Sequence, residues 1–114
     1  GNFGREEIDV IAPAVQSLQA AGLPVDGPWP SDTVFLKAVA KEIDAVVTMY
    51  HDQGQIALKL LGFSQGVTVQ GGIPIPVTTP AHGTAFDIAG QGKAKLGATR
   101  AAFDLACKMV SHWG

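Results

Sequence analysis

The sequence predicts an α/β fold built on a mostly parallel sheet with flanking helices. Three observations carry that expectation. Segments with apolar residues at helical spacing alternate along the chain with short apolar or alternating runs. One such run, "AVVTM" at 45–49, is almost free of polar residues, as expected of a strand with both faces covered. Gly- and Pro-containing breaks separate the segments, with no internal repeat, low-complexity tract or linker between domains.

Taken in order, Ile8, Ile11, Val15 and Leu18 recur at helical spacing, and Glu6 and Glu7 suit a helix N-terminus. Pro13 lacks a backbone donor, so a kink or restart is expected there. Gly22 ends this helix, and a short strand is expected over 23–25. "WPSDTVFLKAVA" has the pattern of a capped helix, with Ser31 or Asp32 at the N-cap. After the strand at 45–49 the chain turns through "YHDQG" into a helix over 55–61, stopped by Gly62. Val67 and Val69 alternate with polar neighbours, and "GGIPIPVTT" reads as extended, its two prolines placing it at a sheet edge. "HGTAFDIAGQGKAKLG" is a Gly- and Ala-rich loop with one helical turn. Ala102, Leu105, Ala106 and Met109 mark a closing amphipathic helix over 98–110.

The composition, 46% hydrophobic and 16% charged over 114 residues, is that of a globular chain of one domain or part of one. A net charge of −2 without a basic cluster gives no footprint for nucleic acid or an anionic membrane surface. No apolar stretch approaches the length of a bilayer span, and no signal-like leader is present. The single cysteine, Cys107, rules out an internal disulfide framework and is expected to be a small buried hydrophobe in a reducing, cytoplasmic setting. The opening "GNFGREE", a loop with no element before it, reads as the start of a piece of something longer.

The chemistry gathers where "AVVTM" ends. In open α/β sheets, ligands bind beyond the carboxyl ends of the strands, and His51 and Asp52 fall at such an end. Imidazole and carboxylate suit zinc or another divalent ion, and Lys59, on the first turns of the next helix, suits an anionic substrate group. The plainer reading makes Asp52 an N-cap, His51 a satisfied polar group and Lys59 a solvated one; for Asp32 it is likewise a helix cap. One histidine does not make a metal site, which takes three or more protein ligands. His112, near the chain end, reads as solvated. In "HGTAFDIAGQGKA" the small residues permit close backbone approach to a ligand. The strand–GxGxxG–helix arrangement of a Rossmann site is absent there, and the segment is equally readable as a tight loop.

"GREEIDVIAPAV", "DGPWPSDTVF", "AVVTMYHDQGQIALKLLGF" and "HGTAFDIAGQGKA" resemble, in order and spacing, the 4-hydroxythreonine-4-phosphate dehydrogenase family of pyridoxal phosphate synthesis. The resemblance covers essentially the whole chain and places it in the carboxy-terminal third of a family member. The last motif also resembles a loop of isopropylmalate and isocitrate dehydrogenases, which implies part of an isopropylmalate-dehydrogenase-like fold. It further implies an NAD-dependent, divalent-metal-assisted oxidation (zinc, magnesium or cobalt) of a phosphorylated hydroxy acid such as 4-phosphohydroxy-threonine, with loss of carbon dioxide. By resemblance His51 is one of three metal-binding histidines drawn from both subunits of a homodimer, the other two lying upstream. Asp32 and Asp52 match acidic residues beside the metal, and Lys59 matches a substrate-binding lysine. His82, Gly83, Thr84, Ala85 and Asp87 would line the cofactor side.

The departures from the family pattern cluster. Thr68 and Val77 stand where the family places an Asn and an Arg that contact the substrate, and Ala81 replaces an Asp. Valine cannot imitate a guanidinium fork for phosphate. A same-family dehydrogenase acting on another hydroxy acid or a carboxylated cyclic dihydrodiol is therefore one alternative. A non-catalytic truncated domain is another. The expected division is a metal- and substrate-side α/β portion over 1–97 and a terminal helix, 98–114, that packs on a domain outside the chain.

Overall fold

The structure, a computed structural model, describes residues 1–62 and 64–112. The chain divides into two compact units, 1–49 and 50–114.

In the first unit a π-helical turn, Glu7–Ile11, runs directly into helix α1, Ala12–Ala20. Ala12 donates its N–H to the carbonyl of Glu7, five residues back. The wide turn sits just ahead of Pro13, whose ring would crowd the carbonyl four residues earlier and which has no N–H to give it. The disturbance expected at Pro13 thus takes the form of a π turn. α1 ends in a Schellman motif: Gly22, at φ +85°, donates to Gln19 and Leu23 donates to Leu18.

Residues 23–25 form no strand, against expectation. Val25 donates its N–H to Leu23 two residues back, and its carbonyl accepts the Gln19 side-chain amide at 2.9 Å. With both groups engaged locally, nothing is left for a ladder.

Helix α2, Val34–Val39, starts at Thr33 without any side-chain cap, so neither Ser31 nor Asp32 caps it. Val34 is the buried apolar anchor of this unit. α2 also ends in a Schellman motif, Lys41 donating to Ala38 and Glu42 to Lys37. Here the left-handed residue is Lys41, at φ 59°. A side chain in that conformation costs about 1 kcal/mol relative to glycine. Lys41→Gly should therefore stabilise this unit by about 0.5–1 kcal/mol, read as a higher urea midpoint at unchanged slope.

The expected strand at 45–49 has no ladder among the described residues. A strand exists through its neighbours, and residues 45–49 pair with no segment among the described residues; Val47 is 84% exposed.

In the second unit helix α3, His51–Gly62, begins four residues earlier than expected. Strands β1, Val67–Gln70, and β2, Val77–Pro80, form the only sheet among the described residues, and it is antiparallel. The parallel sheet is thus corrected. Residues 71–76, "GGIPIP", form the hairpin connection and not a strand, and a connection that short can only return the chain antiparallel. The register pairs Val67 with Pro80, Thr68 with Thr79, Val69 with Thr78 and Gln70 with Val77.

A 3-10 turn, Phe86–Ile88, precedes helix α4, Gly97–Ser111, which packs on the hairpin through buried Ala98 and Ala102. Thr78 Oγ1 donates to the Ala102 carbonyl at 2.8 Å, fixing the helix against β2. Close approach continues at Gly97, where a methyl group would lie 2.7 Å from the Ser64 carbonyl oxygen. Cys107 is exposed and not buried as expected. It belongs to the outward side of α4, with Phe103 and Val110.

Candidate functional site

The first turn of α3 carries the pair expected to be reactive. His51 and Asp52 are both exposed, with His51 Nδ1 2.9 Å from Asp52 Oδ1. A carboxylate only accepts, so the pairing places a ring proton on Nδ1. A carboxylate behind a ring is also the arrangement that fixes imidazole tautomer and orientation in metal-binding histidines. Among the described residues no group of three or more His, Cys, Asp or Glu side chains is placed to hold a metal ion. The pair fits a contribution of one nitrogen ligand, not a closed site.

Lys59 lies in the last turn of α3, not in its first turns. The earlier helix start moves it to the far end. It is seven residues beyond Asp52, hence on the same face and about 10 Å along the axis. Its ammonium makes no ion pair among the described residues.

The hairpin brings Thr68 and Val77 together. They are diagonal neighbours across the two strands, and both are half-buried. Alternation puts them, with Gln70 and Thr79, on the face opposite Thr78, hence away from α4.

His82, Gly83, Thr84, Ala85 and Asp87 all lie in one exposed loop. His82 Nδ1 is 2.8 Å from the Gly83 carbonyl, so this ring too carries its proton on Nδ1. Ala85 adopts a left-handed conformation, φ 49° and ψ 45°, and caps the 3-10 turn that holds Asp87. The Gln91 side-chain amide closes the turn on the Asp87 carbonyl at 2.7 Å. His112 bonds the Lys108 carbonyl and Ser111 at the end of α4, the solvated position expected.

Asp32 lies in the first unit. Thr33 and Val34 both donate backbone N–H groups to the Pro30 carbonyl, which makes a tight turn with Asp32 at its tip. Its carboxylate is exposed and makes no hydrogen bond or ion pair among the described residues. The helix-cap reading of Asp32 is set aside by this geometry. The sequence reading also missed Lys37 in the same unit: its Nζ lies 4.4 Å from the Trp29 ring centre, and the seven intervening positions give no signal of that contact.

The family described as pyridoxal phosphate biosynthetic protein PdxA matches residues 1–106. The chain belongs to this family. It is 68% identical over 114 residues to the putative 4-hydroxythreonine-4-phosphate dehydrogenase 2 of Pseudomonas aeruginosa, covering 98% of this chain and 34% of that protein. It is 50% identical over 110 residues to the D-threonate 4-phosphate dehydrogenase of Pectobacterium atrosepticum, covering 96% of this chain and 34% of the relative. The crystal structure of 4-hydroxythreonine-4-phosphate dehydrogenase from Klebsiella pneumoniae superposes with a TM-score of 0.78 at 52% identity, over 93% of this chain and 32% of that one.

The chain therefore spans about a third of the length of the relatives it matches. The matches give that share and lend no support to the carboxy-terminal placement expected from the sequence. The family's named members are dehydrogenases, of which this chain is a part. Among the described residues no helix is long and apolar enough to cross a membrane.

Proposed function

We propose that this chain is part of an NAD-dependent, divalent-metal-assisted dehydrogenase that oxidises and decarboxylates a phosphorylated hydroxy acid in the cytoplasm. The observation that carries the reading is the exposed His51–Asp52 pair, with Nδ1 engaged by the carboxylate. The names of the relatives support the substrate class. A divalent ion held in part by His51 would supply polarisation of the substrate hydroxyl and stabilisation of oxyanion charge, and NAD would supply the hydride acceptor.

The chain's own residues have narrower tasks. Asp52 holds the Nδ1 proton and keeps the His51 ring in one tautomer. Asp32 supplies an uncommitted carboxylate for proton handling or charge balance. Lys59 offers a point charge to an anionic substrate group. Thr68 and Val77 present a short hydroxyl and an aliphatic surface to the substrate. The loop carrying His82, Gly83, Thr84, Ala85 and Asp87 lines the cofactor side. The reading further includes a homodimer whose partner supplies part of the site, and docking of the terminal helix, from residue 98, on a portion of the family fold outside this chain. The outward Phe103 and Val110 of α4 support that docking, being apolar surface in need of a cover.

Val77 favours one variant of this reading. With no guanidinium at that position, a hydroxy acid without the phosphate is better matched than a phosphate ester. The test is NADH formation by a protein of full family length carrying these residues, given phosphorylated and non-phosphorylated hydroxy acids in parallel. Turnover abolished by a chelator and restored by a divalent metal is expected. Metal-independent turnover, or none with any hydroxy acid, overturns the reading.

A further inference from the structure

Lys37 is the most connected cation of the first unit. Its ammonium lies 4.4 Å from the Trp29 ring centre and 3.2 Å from Glu42 Oε2. Trp29 precedes the turn at 30–34, and Glu42 follows the end of α2. One side chain on α2 thus ties the residue before the turn to the residue that closes the end of the helix. Between the two anchors, Pro30 accepts the N–H groups of Thr33 and Val34 at 3.2 and 3.0 Å, and Asp32 sits at the tip. Asp32 makes no hydrogen bond of its own among the described residues. Its position therefore depends on what holds the turn closed.

We infer that Lys37 is a positioning residue: its bridge between Trp29 and Glu42 holds the turn that presents the Asp32 carboxylate. The inference rests on the reading of Asp32 as an acidic residue of the dehydrogenase site. Lysine suits the task because its long stem lets one compact charge meet an aromatic face and a carboxylate together. The side chains are partly exposed, 34% for Lys37 and 58% for Glu42, so the bridge tunes the turn and does not hold up the fold.

Two measurements test it. In a protein of full family length carrying these residues, Lys37→Leu is expected to speed hydrogen exchange of the Thr33 and Val34 amides about fivefold, while amides of the hairpin are unchanged. In a protein of full family length carrying these residues, the same change is expected to lower kcat about tenfold, with KM for NAD unchanged. Lys37→Arg retains both contacts and should restore exchange rates and kcat together. Glu42→Gln, which removes one arm of the bridge from outside the turn, should show the same pattern at about twofold. Unchanged kcat in Lys37→Leu beside a large loss in Asp32→Asn overturns the positioning role alone. Unchanged kcat in Asp32→Asn overturns the site reading on which it rests. Equal losses in Lys37→Leu and Lys37→Arg also overturn it, since the bridge would then not be what matters.

Discussion

Replacing His51 with alanine, in a protein of full family length carrying these residues, is expected to lower divalent-metal affinity about 100-fold and to take turnover with it. The magnitude follows from coordination. A catalytic site with three protein ligands that loses one has two left, which neither fix the geometry nor exclude water from the ion. His51 stands in the first turn of a twelve-residue helix and is 75% exposed at its side chain, so the substitution removes a ligand without opening a cavity. Asp52→Asn is the graded companion. The amide accepts less strongly than the carboxylate at 2.9 Å from Nδ1, so the ring loses orientation but keeps its nitrogen, and affinity falls about tenfold. Calorimetric titration with zinc or cobalt ions reads both, beside a urea midpoint that should not move. Undiminished metal affinity in His51→Ala removes the ligand assignment.

The 114 residues on their own are expected to form no NADH from any hydroxy acid. They hold one candidate imidazole ligand, and among the described residues no cluster of three metal-binding side chains. Among the described residues only Val34, Ala98 and Ala102 form buried apolar core, while Phe3, Val47, Leu60, Phe86 and Leu96 are each at least 70% exposed. Burial that sparse offsets little of the ordering entropy of a chain this long. Surface of this kind favours association, so light scattering should report a dimer or larger assembly. An assay with several metals and hydroxy acids, run beside a full-length relative, gives the comparison. Turnover within tenfold of that relative contradicts both the incomplete metal set and the need for the missing two thirds.

How much was legible beforehand depended on how local the cause was. The helices at 12–20 and 97–111 were readable because their apolar spacing and Gly22 act within a few residues. The contact between His51 and Asp52 is local for the same reason, since the two residues are adjacent. The strand at 45–49 was not, because an apolar run reports a preference for burial and a ladder needs a second edge. The hairpin direction was misread because "GGIPIP" was taken as strand, although a loop that short dictates antiparallel return. Asp32 was half-read: its residue type suits a cap, and only the turn closed on Pro30 shows that it caps nothing. The exposure of Cys107 was hidden because its apolar neighbours on α4 are themselves divided between an inner and an outer side.

The ladderless stretch at 45–49 carries a consequence for the life of the chain in a cell. "AVVTM" is β-branched and uncharged, with Val47 84% exposed and no strand beside it among the described residues. Such a segment is a template for intermolecular cross-β pairing whenever it waits for its neighbours. Lys41, Glu42 and Asp44 stand on one flank, where charge acts as a gatekeeper against stacking in register. During synthesis this flank emerges from the ribosome first, so each new chain meets its neighbours charge-first, with the hydrophobic segment following behind it.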